Sequence, residues 1–181
     1  LFLQPKMALA DGTLIGAEAL VRWQHPTRGM VPPLHFIPFA EQTGFVRALT
    51  LWIFAETARQ WPLMQAAGLQ RVSVNLSTRD LMDPDLPAAL DRILQPRGVP
   101  RSSFCLEITE SAIMDDPTRA RATLEGLARR GFQLAIDDFG TGYSSLGYLQ
   151  RLPVHSMKID RSLLVDAVSP AGRTILSTMV R

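Results

Sequence analysis

The chain is poor in several things that would have placed it quickly. Cys105 is its only cysteine, so a disulfide scaffold is excluded. No apolar run approaches the roughly 20 residues a membrane span requires, and no signal peptide opens the chain. Charge of one sign is missing too: the formal balance is +2, which argues against nucleic-acid binding driven by bulk charge. No G-x-G-x-x-G follows the first strand-like run, which weakens a dinucleotide-binding reading. There is no internal repeat and no low-complexity tract. Lysine is scarce: seventeen arginines stand against only Lys6 and Lys158. Arginine use of this kind follows genomic base composition, but it makes each lysine worth inspection.

What is present is ordinary for a globular chain. The 181 residues are 46% apolar and 20% charged, enough for a sizeable core. Two strand-like runs, Leu1 to Leu9 and Leu14 to Trp23, flank Asp11-Gly12, a hairpin signal that makes them antiparallel. His25 to Pro33 reads as a loop, followed by a short helix near Pro38 and a longer one from Phe45 to Ala67 closed by Gly68. Strands and helices then alternate. Strands are expected at Arg71–Leu76, Phe104–Thr109, Phe132–Asp137 and Val154–Ile159, and helices at Pro84–Pro96 and Pro117–Arg130. A Gly-rich loop with a short helix spans Gly140 to Gln150, and Ser169-Pro170 opens a last helix. This rhythm means βαβ units and a parallel sheet, as an open doubly wound sheet or a (β/α) barrel.

Polar residues fall inside or at the ends of these apolar strands. Glu18, Asn75, Glu107, Asp137, Asp138, Lys158 and Asp160 all lie at or near C-terminal strand ends, the rim that carries the active site of a (β/α) barrel. A single carboxylate there is usually a helix cap. Several strands in a row delivering oxygen groups to one rim are not explained by capping. Gathering them is costly unless a cation neutralises them. An all-oxygen set suits Mg²⁺, Mn²⁺ or Ca²⁺ rather than zinc. Adjacent aspartates can serve two ions, and a two-ion site suits phosphodiester hydrolysis. Glu107 and Glu110, three positions apart, are expected on opposite faces of their strand.

The ordered set Glu18-Ala19-Leu20 with Arg22, Val74-Asn75-Leu76-Ser77, Glu107-Ile108-Thr109-Glu110, Asp137-Asp138-Phe139-Gly140-Thr141-Gly142-Tyr143-Ser144-Ser145-Leu146 and Lys158-Ile159-Asp160 resembles the EAL family of cyclic di-GMP phosphodiesterases. The resemblance implies an α/β fold: a TIM-like (β/α)8 barrel whose first strand is antiparallel, here about six strands. It implies a partial domain over 1–181, without the lead-in helix and the last two β/α units, to be completed by more chain or by a partner. It implies two ions, Mg²⁺ or Mn²⁺. Glu18, Asn75, Glu107 and Asp137 would hold one, and Asp137 with Asp138 would reach the second. Lys158, with Glu18, would be catalytic, Lys158 holding the attacking water; Arg would not mimic its compact charge. Gln4, Arg22 and Asp160 would meet substrate, and Glu110 would anchor the loop after Asp138. That loop and the helix after it would form a homodimer.

The expected partner is cyclic di-GMP, cleaved to linear pGpG. No DNA or RNA polymer and no membrane contact are expected in this segment, and the location is cytoplasmic, with any membrane anchor supplied by other domains. The alternative is a receptor that binds cyclic di-GMP without cleaving it. His25, His35 and His155 read as structural, His155 standing where many family members carry Asp.

Overall fold

The structure, a computed structural model, describes residues 1–140 and 146–162. The chain opens with β1 (Phe2–Met7) and β2 (Leu14–Leu20), antiparallel across the Asp11-Gly12 turn. Gly12 takes a left-handed φ of 70°, and Asp11 Oδ1 accepts from Thr13 N at 3.0 Å and Thr13 Oγ1 at 2.8 Å. Two three-residue strands follow, β3 (Trp23–His25) and β4 (Gly29–Val31), paired as a separate hairpin. The expected loop from His25 to Pro33 is therefore partly strand, and the second strand ends at Leu20 rather than Trp23. His25 serves the turn: its Nδ1 accepts from the backbone N–H groups of Thr27 at 3.2 Å and Arg28 at 3.3 Å.

Helices α1 (Ile37–Thr43) and α2 (Val46–Ala66) lead to β5 (Val72–Leu76), then α3 (Thr78–Leu81) and α4 (Leu86–Leu94). Next come β6 (Phe104–Thr109), α5 (Glu110–Asp115), α6 (Pro117–Arg129), β7 (Gln133–Phe139), α7 (Leu146–Leu149) and β8 (Ser156–Ile159). The sheet runs β1-β2-β5-β6-β7-β8, with every pair after the first parallel. The expected α/β architecture with an antiparallel first strand is what the structure has. The helix expected from Ser169-Pro170 and the Thr141–Ser145 stretch lie outside the described residues.

Strand period two divides the sheet into unlike faces. Val72, Val74, Leu106, Ile108, Leu134 and Ile136 are buried in the core beneath the helices. Phe54 of α2 packs on Phe104 with ring centroids 4.4 Å apart and on Phe132 at 6.0 Å, and Leu90 of α4 and Leu124 and Leu127 of α6 complete the layer. The alternate residues, Glu18, Ser73, Asn75, Glu107, Asp137 and Lys158, face the other way.

Contacts on that second face require the sheet to curl. Strands lie about 4.8 Å apart, so a flat sheet would hold β2 and β8, four places apart, at about 19 Å. Instead Lys158 Nζ of β8 is 3.1 Å from Glu18 Oε2 of β2. The polar face is thus the inside of a barrel wall.

Candidate active site

The curl gathers side chains that the sequence keeps far apart. Register sets Gln4 opposite Glu18 and Asn75 beside Glu107. At the centre stands the Lys158 ammonium. Besides Glu18 Oε2 it meets Glu107 Oε2 at 2.7 Å and Asp137 Oδ2 at 2.8 Å. Burial pulls the Lys158 pKa down. Its hydrogen bonds to Asp137 and Glu107 and the charges of Glu107 and Glu18 outweigh that, holding it above the usual lysine range. Asn75 Nδ2 donates to Glu18 Oε1 at 2.8 Å, fixing the orientation of that carboxylate.

Glu107 is the most enclosed member, 1% exposed. A carboxylate so placed must be paired. It has a cation for each oxygen: Lys158 on Oε2 and, from β1, Lys6 on Oε1. Lys6 also donates to Ser73 Oγ at 2.6 Å. The sequence reading gave Lys6 no role. The signal was its position two residues after Gln4, on the same face of β1.

Asp137 and Asp138, near the C-terminal end of β7, differ. Asp138 N donates to Asp137 Oδ1 at 2.9 Å, and Asp138 has φ of 53°, the only positive φ outside glycine among the described residues. Left-handed backbone is tolerated by Asp better than by most residues, but it still stores strain. Burial raises the Asp138 pKa first, with the neighbouring charges of Asp137 and Asp160 adding to it.

The remaining expected positions divide. Glu110 is buried, but not on a strand: Thr109 caps α5, and Glu110 is that helix's first residue. The opposite-face argument for Glu107 and Glu110 is therefore corrected; the two separate because the strand has ended. Glu110 Oε2 accepts from Gly140 N at 3.3 Å, at the start of the loop after Asp138. Arg22 is turned back, its Nη1 donating to Val21 O at 2.8 Å, and it lines a cavity of about 210 Å³ that also touches Leu20, Glu41 and Asn75. Gln4 is exposed at the edge strand. Asp160 accepts from Ser162 Oγ and, at 2.8 Å, Ser162 N, and these bonds lower its pKa. His155 is a strand-end fixture: its N donates to Leu134 O at 2.9 Å and its Nδ1 accepts from Leu134 N at 3.2 Å.

The oxygen set fits a hard divalent cation. Three carboxylates from three strands already converge on one positive point, at 2.7–3.1 Å from nitrogen. A divalent ion would draw them to about 2.0–2.6 Å. Among the described residues no three carboxylates stand close enough together to hold an ion as they are; they are arranged around the Lys158 ammonium instead. Two lysine ammoniums pair with Glu18, Glu107 and Asp137, and the charges of Asp138 and Asp160 lie close by, so the rim keeps a negative excess that a cation would offset.

Known proteins are similar to this chain in sequence and fold. The bifunctional diguanylate cyclase/cyclic di-GMP phosphodiesterase MucR of Pseudomonas aeruginosa is 38% identical over 186 residues, covering 95% of this chain and 27% of that protein. The cyclic di-GMP phosphodiesterase NbdA of the same organism is 41% identical over 165 residues, covering 90% of this chain and 21% of that protein. A solved structure of the PaMucR phosphodiesterase in complex with c-di-GMP superposes with a TM-score of 0.90 at 38% identity, covering 98% of this chain and 73% of that one. The chain spans about a fifth to a quarter of the length of the first curated relatives it matches. The curled six-strand sheet with its antiparallel first strand is that of the EAL barrels. The EAL domain model matches residues 1–181, and the chain belongs to the EAL domain family.

Proposed function

We propose that the protein hydrolyses cyclic di-GMP to linear pGpG with Mg²⁺ or Mn²⁺. The observation that carries this is the convergence of Glu18, Glu107 and Asp137 from three strands on one cationic point, with Asn75 beside them. MucR and NbdA, by their names, cleave this dinucleotide, and MucR has been solved with it.

Glu18, Asn75, Glu107 and Asp137 would hold one ion, and Asp137 with Asp138 the second. When bound, such ions supply positive charge to the phosphoryl oxygens and make water a better nucleophile. Lys158 donates hydrogen bonds and accepts none, so its part is to hold and orient the attacking water. Its present bonds to three carboxylates must yield for that. Arg22, on the cavity wall beside Leu20, suits a phosphate or a guanine edge. Gln4 and Asp160 flank the same rim as further substrate contacts. Glu110 ties Gly140 to the sheet and steadies the loop after Asp138.

Two β/α units beyond this stretch would complete the domain, consistent with its covering 73% of the solved MucR chain. The homodimer through the loop and helix after Asp138 belongs to the same proposal, and most of that surface lies outside the described residues. Among the described residues no helix is long and apolar enough to cross a membrane, and a cytoplasmic site of action suits a nucleotide substrate.

The test is Lys158→Ala in the full-length protein. Turnover is expected to fall by about 10³-fold, the scale of losing one key electrostatic donor, with cyclic di-GMP affinity nearly unchanged. Equal loss of both would remove the water-holding role. Wild-type protein that binds the dinucleotide and leaves it intact would favour the receptor reading.

A further inference from the structure

Glu107 is held by two lysines that do different things. Lys158 reaches Oε2 from the strand-end side, in company with Glu18 and Asp137. Lys6 reaches Oε1 in company with Ser73. Because β1 is antiparallel, moving from Gln4 to Lys6 goes down the barrel, away from the rim. Lys6 therefore sits one layer below Gln4 and Glu18, opposite Gly16, which offers no side chain to crowd it. Lys6, Ser73, Glu107 and Lys158 line one cavity of about 240 Å³ inside the curl.

We propose that Lys6 is a positioning residue that makes Glu107 a one-oxygen ligand and so biases the site toward small divalent ions. The inference rests on reading the oxygen cluster as a divalent-ion site. Lys6 is anchored twice, to Ser73 and to Glu107, and stands apart from the other carboxylates. When Lys158 turns to its water, Oε2 is released to the ion while Oε1 stays with Lys6. Glu107 then cannot chelate through both oxygens. That restriction has a chemical consequence. Ca²⁺ takes six to eight oxygens and accepts bidentate carboxylates, whereas Mg²⁺ demands near-ideal octahedral geometry from single oxygens. A carboxylate with one oxygen occupied from below suits Mg²⁺ and Mn²⁺ and disfavours Ca²⁺. Partners behind a metal ligand shift metal affinity by about 10–100-fold in known sites.

The charge of Lys6 acts separately. It repels every divalent ion alike, so removing it would tighten Mg²⁺ and Ca²⁺ together. The ratio of the two affinities cancels that term and isolates the geometric one. The experiment is displacement of Mn²⁺ by Mg²⁺ and by Ca²⁺ on the full-length protein, followed by the electron paramagnetic resonance signal of free Mn²⁺. Lys6→Met is expected to raise Ca²⁺ affinity relative to Mg²⁺ by about tenfold. Lys6→Arg, which keeps a cation on Oε1, returns the ratio toward the wild-type value. Ser73→Ala, which removes the second anchor and keeps the charge, shifts the ratio the same way by less, and serves if Lys6→Met does not fold. An unchanged ratio in Lys6→Met and Ser73→Ala, with all ions bound alike, would overturn the positioning role and leave the ion site standing. Wild-type protein that binds no Mn²⁺ would overturn both.

Discussion

The two faces of the sheet obey opposite rules, although adjacent residues of the same strands build them. In β5, Val72 and Val74 enter the apolar core, while the alternate residues Ser73 and Asn75 face the carboxylates and their lysines. In β6, Leu106 and Ile108 pack under the helices while Glu107 meets two lysines. The helix-covered face is built for density: Phe54, Phe104 and Phe132 are fully buried and in ring contact. The inner face is built for charge: three carboxylates pair with two ammoniums, and Asp138 beside them is held in left-handed backbone. The difference teaches where stability resides. The apolar face supplies it, and the polar face draws on it, as strained sites generally do.

The sharpest way to break this division is from the packed side. Phe54→Ala should cost about 3–5 kcal/mol, because a large ring is deleted from a site closed on all sides. Urea unfolding measures it, and a loss under 1 kcal/mol would mean the face is not the core. From the polar side, Asp137→Asn should do the reverse. Mn²⁺ affinity should fall by about a hundredfold or more, while thermal stability holds or rises because one crowded charge has gone. Calorimetry of both properties on one sample decides it; a large drop in melting temperature would show the cluster to be structural.

The smallest effect sharpens the comparison within the packed side. Asp80 is a buried carboxylate there, accepting from Thr50 Oγ1 at 2.8 Å and Ser77 Oγ at 2.7 Å in the cap of α3. Burial raises its pKa, outweighing the opposing pull of its hydrogen bonds and of Arg47. A carboxyl raised in the folded state binds its proton more tightly there than in the unfolded chain. Its contribution is therefore fully present below the ordinary carboxylate range and lost as pH rises through the raised value. Urea midpoints taken from pH 4 to 7 should show wild type losing ground to Asp80→Asn as pH rises. Parallel curves would contradict it.

Legibility from sequence followed the same division. Strands β5 and β6 were readable because Val72–Leu76 and Phe104–Thr109 are short β-branched or aromatic runs between turn signals. The carboxylates were readable because each interrupts such a run. The β3–β4 hairpin was not, since two three-residue strands leave no period to see. Glu110 was misplaced because strand period was carried past the strand's own end at Thr109, whose hydroxyl caps a helix. Lys6 was missed for a different reason. Its partner Glu107 lies 101 residues away, and only the curl of the sheet brings them together.

The central claim is that the inner face is an ion-dependent phosphodiesterase site. Release of linear pGpG from cyclic di-GMP by the full-length protein tests it most directly, followed by chromatography across a Mn²⁺ titration with a chelator control. Product should accumulate with Mn²⁺ or Mg²⁺ and stop on chelation. Cyclic di-GMP that stays intact at saturating Mn²⁺, on protein shown to bind both, would contradict it.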